Sequence, residues 1–262
     1  MNPNISLLFF LSTAFLPPAF RLEAAPPSAG YTLVWADEFN GTKLDLSKWS
    51  YRQLGKRRDA FNVKDTVRLD GKGNLELITK KAGDRYHTAM IGTQGKFETR
   101  FGYFECRMKF QKQVGHWSAF WLQSPTYGPV GDPAKYGAEI DVIEYLAKTP
   151  ELVRINIHWD GYGKHHKHVG VTRIKKGLNK GFHIVGFEWK PDRYLFYIDG
   201  EKVWETTKGI SRRRQYIILS LEVGRWAGDI AKAQLPDGIL VDYVRVYKLK
   251  SKRKKIPEKK SK

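Results

Sequence analysis

Between Tyr31 and Leu249, short runs of alternating or aliphatic–aromatic residues recur between turn signals, and no segment holds a helical period for three turns. This rhythm constrains the fold most. A strand with one buried face alternates in twos, whereas a helix repeats near 3.6. Gly71-Lys-Gly73-Asn74 precedes an alternating run at 75–79. Asp199-Gly200 separates runs at 194–198 and 202–205, a strong hairpin signal. Further strands are predicted at 96–101 and 103–110 about Gly102, at 216–221 and at 240–249. Many short strands between Gly, Asp and Asn turns, with no internal repeat, predict an all-β sandwich or jelly roll. The 262 residues suit one large domain of this kind.

Within this pattern Glu139-Ile140-Asp141-Val142-Ile143-Glu144 sets three carboxylates within six residues. Alternation puts Glu139 and Asp141 on one face of a strand and turns Glu144 to the other. One extra residue, a β-bulge near Val142 or Ile143, returns Glu144 to the face of the other two. The outer acids are then about 13 Å apart along the backbone. Side chains leaning inward can close the carboxyl gap to roughly 5–5.5 Å, the separation of a retaining glycoside hydrolase. Spacing alone leaves a calcium site or a solvated acidic edge as equal alternatives.

Other segments narrow the choice. Glu-Ile-Asp-Val-Ile-Glu resembles the bulged active-site signature of glycoside hydrolase family 16, and the likeness extends over most of the chain after about residue 31. It includes Trp35-Ala-Asp-Glu-Phe-Asn-Gly-Thr42, Gly102-Tyr-Phe-Glu-Cys-Arg107, Gly115-His-Trp-Ser-Ala-Phe-Trp-Leu122, Phe182-His183, Glu188-Trp189, Tyr197-Ile-Asp-Gly200 and Val241-Asp-Tyr-Val-Arg-Val-Tyr247, in the family's order. The resemblance implies a concanavalin A-like jelly roll of two antiparallel sheets with a concave substrate groove. It implies an endo-acting retaining hydrolase of β-linked polysaccharide, with Glu139 as nucleophile, Glu144 as acid/base and Asp141 tuning both. It also implies a structural Ca²⁺ held by Glu38, the carbonyl of Gly73 and Asp242. The alternative for Asp242 is that it ends a turn after Pro236-Asp237-Gly238. No cofactor is expected for catalysis.

Substrate contacts are expected from aromatic and basic residues. Aromatics make up 13% of the chain, with 8 Trp, which fits a sugar-stacking surface although strands also favour aromatics. Trp117 and Trp121 lie four apart on one strand face with Ala119 between them, which leaves either a flat slot for a sugar ring or two core indoles. Trp226, between Gly224 and Gly228, is expected in a groove wall. His158 is a candidate to bond Asp141 or the sugar, or is a structural strand histidine. His165, His166 and His168, with lysines between them and no nearby Cys or acid, read as a basic or solvated loop rather than a zinc site. The stretch 52–64 is predicted as a basic loop carrying Lys56, Arg57 and Arg58, with Arg58 a substrate contact. The Asn- and Glu-bearing, Tyr-rich motif of the better-known β-1,3-glucanases does not occur there. The Gly- and Pro-rich stretch 124–135 is a loop placed to overhang the groove or simply to connect strands.

Composition bounds the rest. A single cysteine, Cys106, excludes an internal disulfide and reads as a small buried residue. Residues 1–25 carry an apolar run from Ile5 to Phe20 and then Ala24-Ala25, which resembles a secretory signal peptide. The expected division is a leader at 1–25, a catalytic domain at 26–248 and a basic disordered tail at 249–262, in a secreted, periplasmic or cell-surface monomer. The formal net charge is +19, and 248–262 hold nine Lys or Arg against Glu258. Such a tail contacts anionic polymers or surfaces. Nucleic acid is not an expected partner, because the body shows no basic–aromatic motif.

The reading that results is hydrolysis of a β-1,3- or mixed-linkage glucan. The alternatives are a sulfated or neutral galactan such as agar, porphyran or carrageenan, and a non-catalytic lectin. A lectin has no need of three clustered acids.

Overall fold

The structure, a computed structural model, describes residues 26–250. The predicted leader and nearly all of the predicted basic tail lie outside the described residues. Two antiparallel sheets pack face to face. One sheet runs, in spatial order, through Ser50–Tyr51, Arg85–Gly92, Tyr216–Val223, His116–Gln123, Glu139–Leu146, Leu152–Trp159 and Lys167–Ile174. The other runs through Glu201–Thr206, Tyr194–Ile198, His183–Trp189, Gly102–Lys109 and the long strand Asp237–Leu249. The far edge of that last strand is shared by Leu75–Ala82 and Tyr31–Asp37. Leu75–Ala82 and Arg85–Gly92 form a hairpin that passes from one sheet to the other. The architecture is the predicted all-β, jelly-roll-like sandwich.

Strand alternation builds the core. In Leu152–Trp159, Val153, Ile155 and Ile157 are fully buried, which leaves Arg154, Asn156 and His158 on the opposite face. Phe104, Cys106, Met108, Phe187 and Trp189 of one sheet meet Phe120, Leu122, Ile140, Ile155 and Leu219 of the other in one cluster. Burying a side chain of this size stabilises the fold by about 1.5–3 kcal/mol.

The Asp199-Gly200 turn has φ of 53° and 81°, the positive values a two-residue I′ hairpin requires. Two predicted segments differ. Residues 96–101 form no strand. The N–H groups of Lys96 and Phe97 fold back to the Thr93 carbonyl, and only Thr99 bridges, to Gln215. The basic stretch 52–64 is a small hairpin of Gly55–Arg57 with Ala60–Asn62, turning at Arg58, whose φ is 51°. The stretch 124–135 is irregular up to a short helix, Pro133–Tyr136, capped by Asp132. Among the described residues no helix is long and apolar enough to cross a membrane.

Candidate active site

The acidic strand carries the bulge that its sequence requires. Against His116–Gln123 the register runs Glu139↔Gln123, Ile140↔Leu122, Asp141↔Trp121, then skips to Ile143↔Phe120 and Glu144↔Ala119. Val142 is the extra residue, and the register against Leu152–Trp159 also shifts between Asp141 and Glu144. Val142 and Ile143 both enter the core, at 1% and 0% exposure. Two consecutive inward side chains return Glu144 to the face of Glu139 and Asp141.

Each carboxylate has its own environment. Glu139 accepts a hydrogen bond from Gln123 Nε2 at 2.8 Å and a short one from the Tyr162 hydroxyl. Gln123 is fixed in turn, because its Oε1 accepts from Tyr216 at 2.6 Å and from Arg52 at 3.2 Å. Asp141 faces His158, whose Nε2 lies 3.1 Å from Oδ2. Ligand atoms of Glu139, Asp141 and His158 all lie within 4.8 Å of one another. Glu144 accepts from Asn156 Nδ2 at 2.8 Å. Gly170 makes room for that amide, since a Cβ there would lie 2.0 Å from Asn156 Oδ1.

Burial raises the pKa of all three acids. It acts first on Glu144, with the Asp141 charge adding to it, and the carboxyl is pushed up to about 8. Burial, then the charges of Glu139 and Glu222, lift Asp141 well above the usual carboxylate range. Glu139 is also raised by burial, but the Tyr162 hydrogen bond, the nearby His158 and the Gln123 hydrogen bond all pull it back. Glu144 is therefore held as a carboxylic acid near neutral pH, and Glu139 is the one supplied with the most donors to its anion.

The aromatic residues take different parts. Trp117 and Trp121 share the acids' face but are only 6% and 8% exposed. Trp117 is covered edge-on by Trp226 at 5.3 Å, and the Trp121 indole donates to Ser220 Oγ at 3.0 Å while packing on Met90, Ala119, Tyr216 and Ile218. Ala119 between them is 4% exposed, so of the two alternatives the burial of both indoles is the one that matches packed side chains. Trp226, at 41% exposed, is the open wall. The Arg58 guanidinium lies 5.2 Å from the Trp117 ring and pairs with Glu222 at 2.6 Å, beside Arg57 at 2.7 Å. Arg154 lies 5.6 Å from Trp226. His166 Nε2 is 2.9 Å from His158 Nδ1, and the rings of His158, His166 and His168 stack in parallel instead of converging on a centre.

The three residues expected to hold Ca²⁺ do not fit the ion in this arrangement. Both oxygens of Glu38 are taken by Arg245, at 2.7 and 2.8 Å, and Asp242 pairs with Arg107. Two guanidinium groups already supply the counter-charge a metal would bring, and the nearest atom to a Cβ on Gly73 belongs to Asn40. Among the described residues the only cluster with metal-ligand spacing is Glu139, Asp141 and His158.

Sequence reasoning missed Gln123, Asn156, Tyr162 and Gly170. Asn156 was within reach of it, because it sits two residues before His158 and so shares its face. Tyr162 lies in a loop with no period to betray it.

Residues 55–245 match the family model described as glycosyl hydrolases family 16. The chain is 32% identical over 228 residues to a β-glucanase of Acetivibrio thermocellus, covering 85% of this chain and 64% of that protein. It is 28% identical over 237 residues to a keratan-sulfate endo-1,4-β-galactosidase of Sphingobacterium multivorum, covering 84% and 56%. The catalytic domain of an endo-1,3-β-glucanase (laminarinase) from Thermotoga petrophila superposes with a TM-score of 0.72 at 26% identity, covering 84% of this chain and 98% of that one. The chain spans between 34% and 64% of the length of four curated relatives. Apart from Tyr31–Asp37, Ser50–Tyr51 and the end of the last strand, both sheets lie inside the matched span, and the chain belongs to glycosyl hydrolases family 16.

Proposed function

We propose that this protein is an endo-acting hydrolase of β-linked polysaccharide that works with retention, exported by way of the leader at 1–25. The observation that carries this reading is the bulge at Val142, which sets Glu139, Asp141 and Glu144 on one face. Glu139 attacks the anomeric carbon while Glu144 gives its proton to the departing glycosidic oxygen. Glu144, now ionised, takes a proton from the water that breaks the glycosyl–Glu139 bond, and both residues return to their starting forms. Asp141, its proton favoured by burial and by the charge of Glu139, lies between the two and tunes both.

The substrate favoured is a β-1,3- or mixed-linkage glucan, in keeping with the β-glucanase and laminarinase relatives. A second reading, a sulfated galactan, is favoured by Arg58 and Arg154 lying against the Trp117–Trp226 pair. Product release from laminarin, lichenan, agarose, porphyran and carrageenan tests both. Cleavage of laminarin or lichenan supports the first and cleavage of porphyran or carrageenan the second. Release from none, by folded protein, overturns the assignment. NMR of the first-formed anomer tests retention.

A further inference from the structure

Where strands of both sheets begin and end lies a cavity of about 950 Å³. None of Glu139, Asp141, Glu144 and Trp226 lines it. Its wall carries Arg100, Lys190, Arg212, Arg213, Arg214 and Lys248 against a single acid, Glu98. Among the described residues, Lys190 alone of the six has an acidic partner, Glu188 at 3.2 Å. The Glu98 carboxylate does not answer the cluster, because its Oε1 accepts from the Gly95 N–H at 3.1 Å. The cations press on one another: burial first, then the charges of Arg214 and Arg100, hold the Lys248 ammonium below its usual pKa. A fold that keeps such repulsion in a concave site is relieved when an anion enters it.

Shape and chemistry narrow the anion. The volume is far more than a lone sulfate or phosphate fills and is of the size that takes a drug-sized ligand, hence several sugar rings. Guanidinium forks suit planar or tetrahedral oxyanions. Nucleic-acid bases need open aromatic faces to stack on, and the aromatic side chains at this pocket, none of them fully exposed, are already engaged. Trp189 is 1% exposed, the Tyr31 hydroxyl is bonded to Glu188 at 2.8 Å, and Phe101 is held edge-on against Trp189 beneath Arg100. We propose that this cavity is a second, non-catalytic binding site for a polysaccharide bearing sulfate or carboxylate groups. The site does not depend on the chemistry assigned to the acidic strand.

Calorimetric titration of the full chain carrying Glu139→Gln tests this, with λ-carrageenan, alginate, laminarin and duplex DNA as probes at about 50 mM salt, where charge contacts are least screened. Carrageenan or alginate should bind in a salt-sensitive manner, and the preferred one tells sulfate from carboxylate. Arg212→Glu, Arg213→Glu and Arg214→Glu together should weaken that binding about tenfold or more, and a triple Arg→Gln variant should do so to a lesser degree. The same triple substitution in the otherwise native chain should leave turnover of a neutral oligosaccharide substrate unchanged, so that loss of the site and loss of catalysis read separately. Unaltered affinity in both triple variants would overturn the proposal, as would duplex DNA binding as tightly as the anionic polysaccharides through the same arginines.

Discussion

Glu139 receives hydrogen bonds from Gln123 and Tyr162, whereas Glu144 receives one, from Asn156. That difference, laid over common burial, favours the anion more at Glu139 than at Glu144. Glu139→Gln and Glu144→Gln should each fold and each lose about 10³–10⁵-fold in kcat, measured on whichever glycan is cleaved. Near-native turnover by either variant would remove the residue from its role. The alkaline side of the pH–rate profile should fall as Glu144 loses its proton near the value of about 8. Asn156 stabilises the ionised form of Glu144, so Asn156→Ala should move that limb to higher pH, and a limb that stays put or moves down would contradict the assignment. The folded chain keeps a Glu144 proton that the unfolded chain releases from about pH 4.5 upward. This group's contribution to stability is therefore complete below 4.5 and declines as pH rises toward 8. Glu144→Gln should accordingly melt higher than the native chain at pH 8, with the gap closing toward pH 4.5.

Among the elements, the acidic strand is the one whose local irregularity was legible beforehand. An alternating Glu-Ile-Asp followed by Val-Ile-Glu cannot present three acids on one face without one extra residue, and Val142 is that residue. Deleting Val142 should restore plain alternation, turn Glu144 or its neighbours into the wrong environment and abolish activity. A Tm drop reflecting at least about 3 kcal/mol should accompany it, because a core aliphatic is displaced. Full activity in the deletion variant would show that the bulge is dispensable. The supporting shell was less legible. Gln123 ends an apolar strand with nothing to mark its amide, and Gly170 owes its place to an Asn156 side chain on the neighbouring strand. Cross-strand register of that kind is fixed by the assembled sheet and does not show in either segment alone.

For the molecule as a whole, turn chemistry and strand alternation were enough to give the two-sheet architecture, since Asp199-Gly200 and the period-two runs act locally. They failed at 96–101, where a strand-like composition folds into a turn about Thr93, and at 52–64, where charge masked a hairpin. Exposure of the tryptophans was not legible either. Trp117 and Trp121 have the sequence pattern of a stacking pair, yet tertiary neighbours cover both. The calcium expectation met two arginines: Arg245, far along the chain from its partner Glu38, and Arg107, on a different strand from its partner Asp242.

Cys106 sits at 0% exposure in the cluster that joins the sheets, its thiol raised well above the usual range by burial. A disulfide reagent therefore has no target in the intact chain, and modification must wait for the sheets to part. The rate of colour release from such a reagent, followed under native conditions, should equal the rate or equilibrium of that parting and should slow when a glycan occupies the protein. The molecule thus carries its own stopwatch for unfolding, with no label added and no other sulfhydryl to confuse the reading.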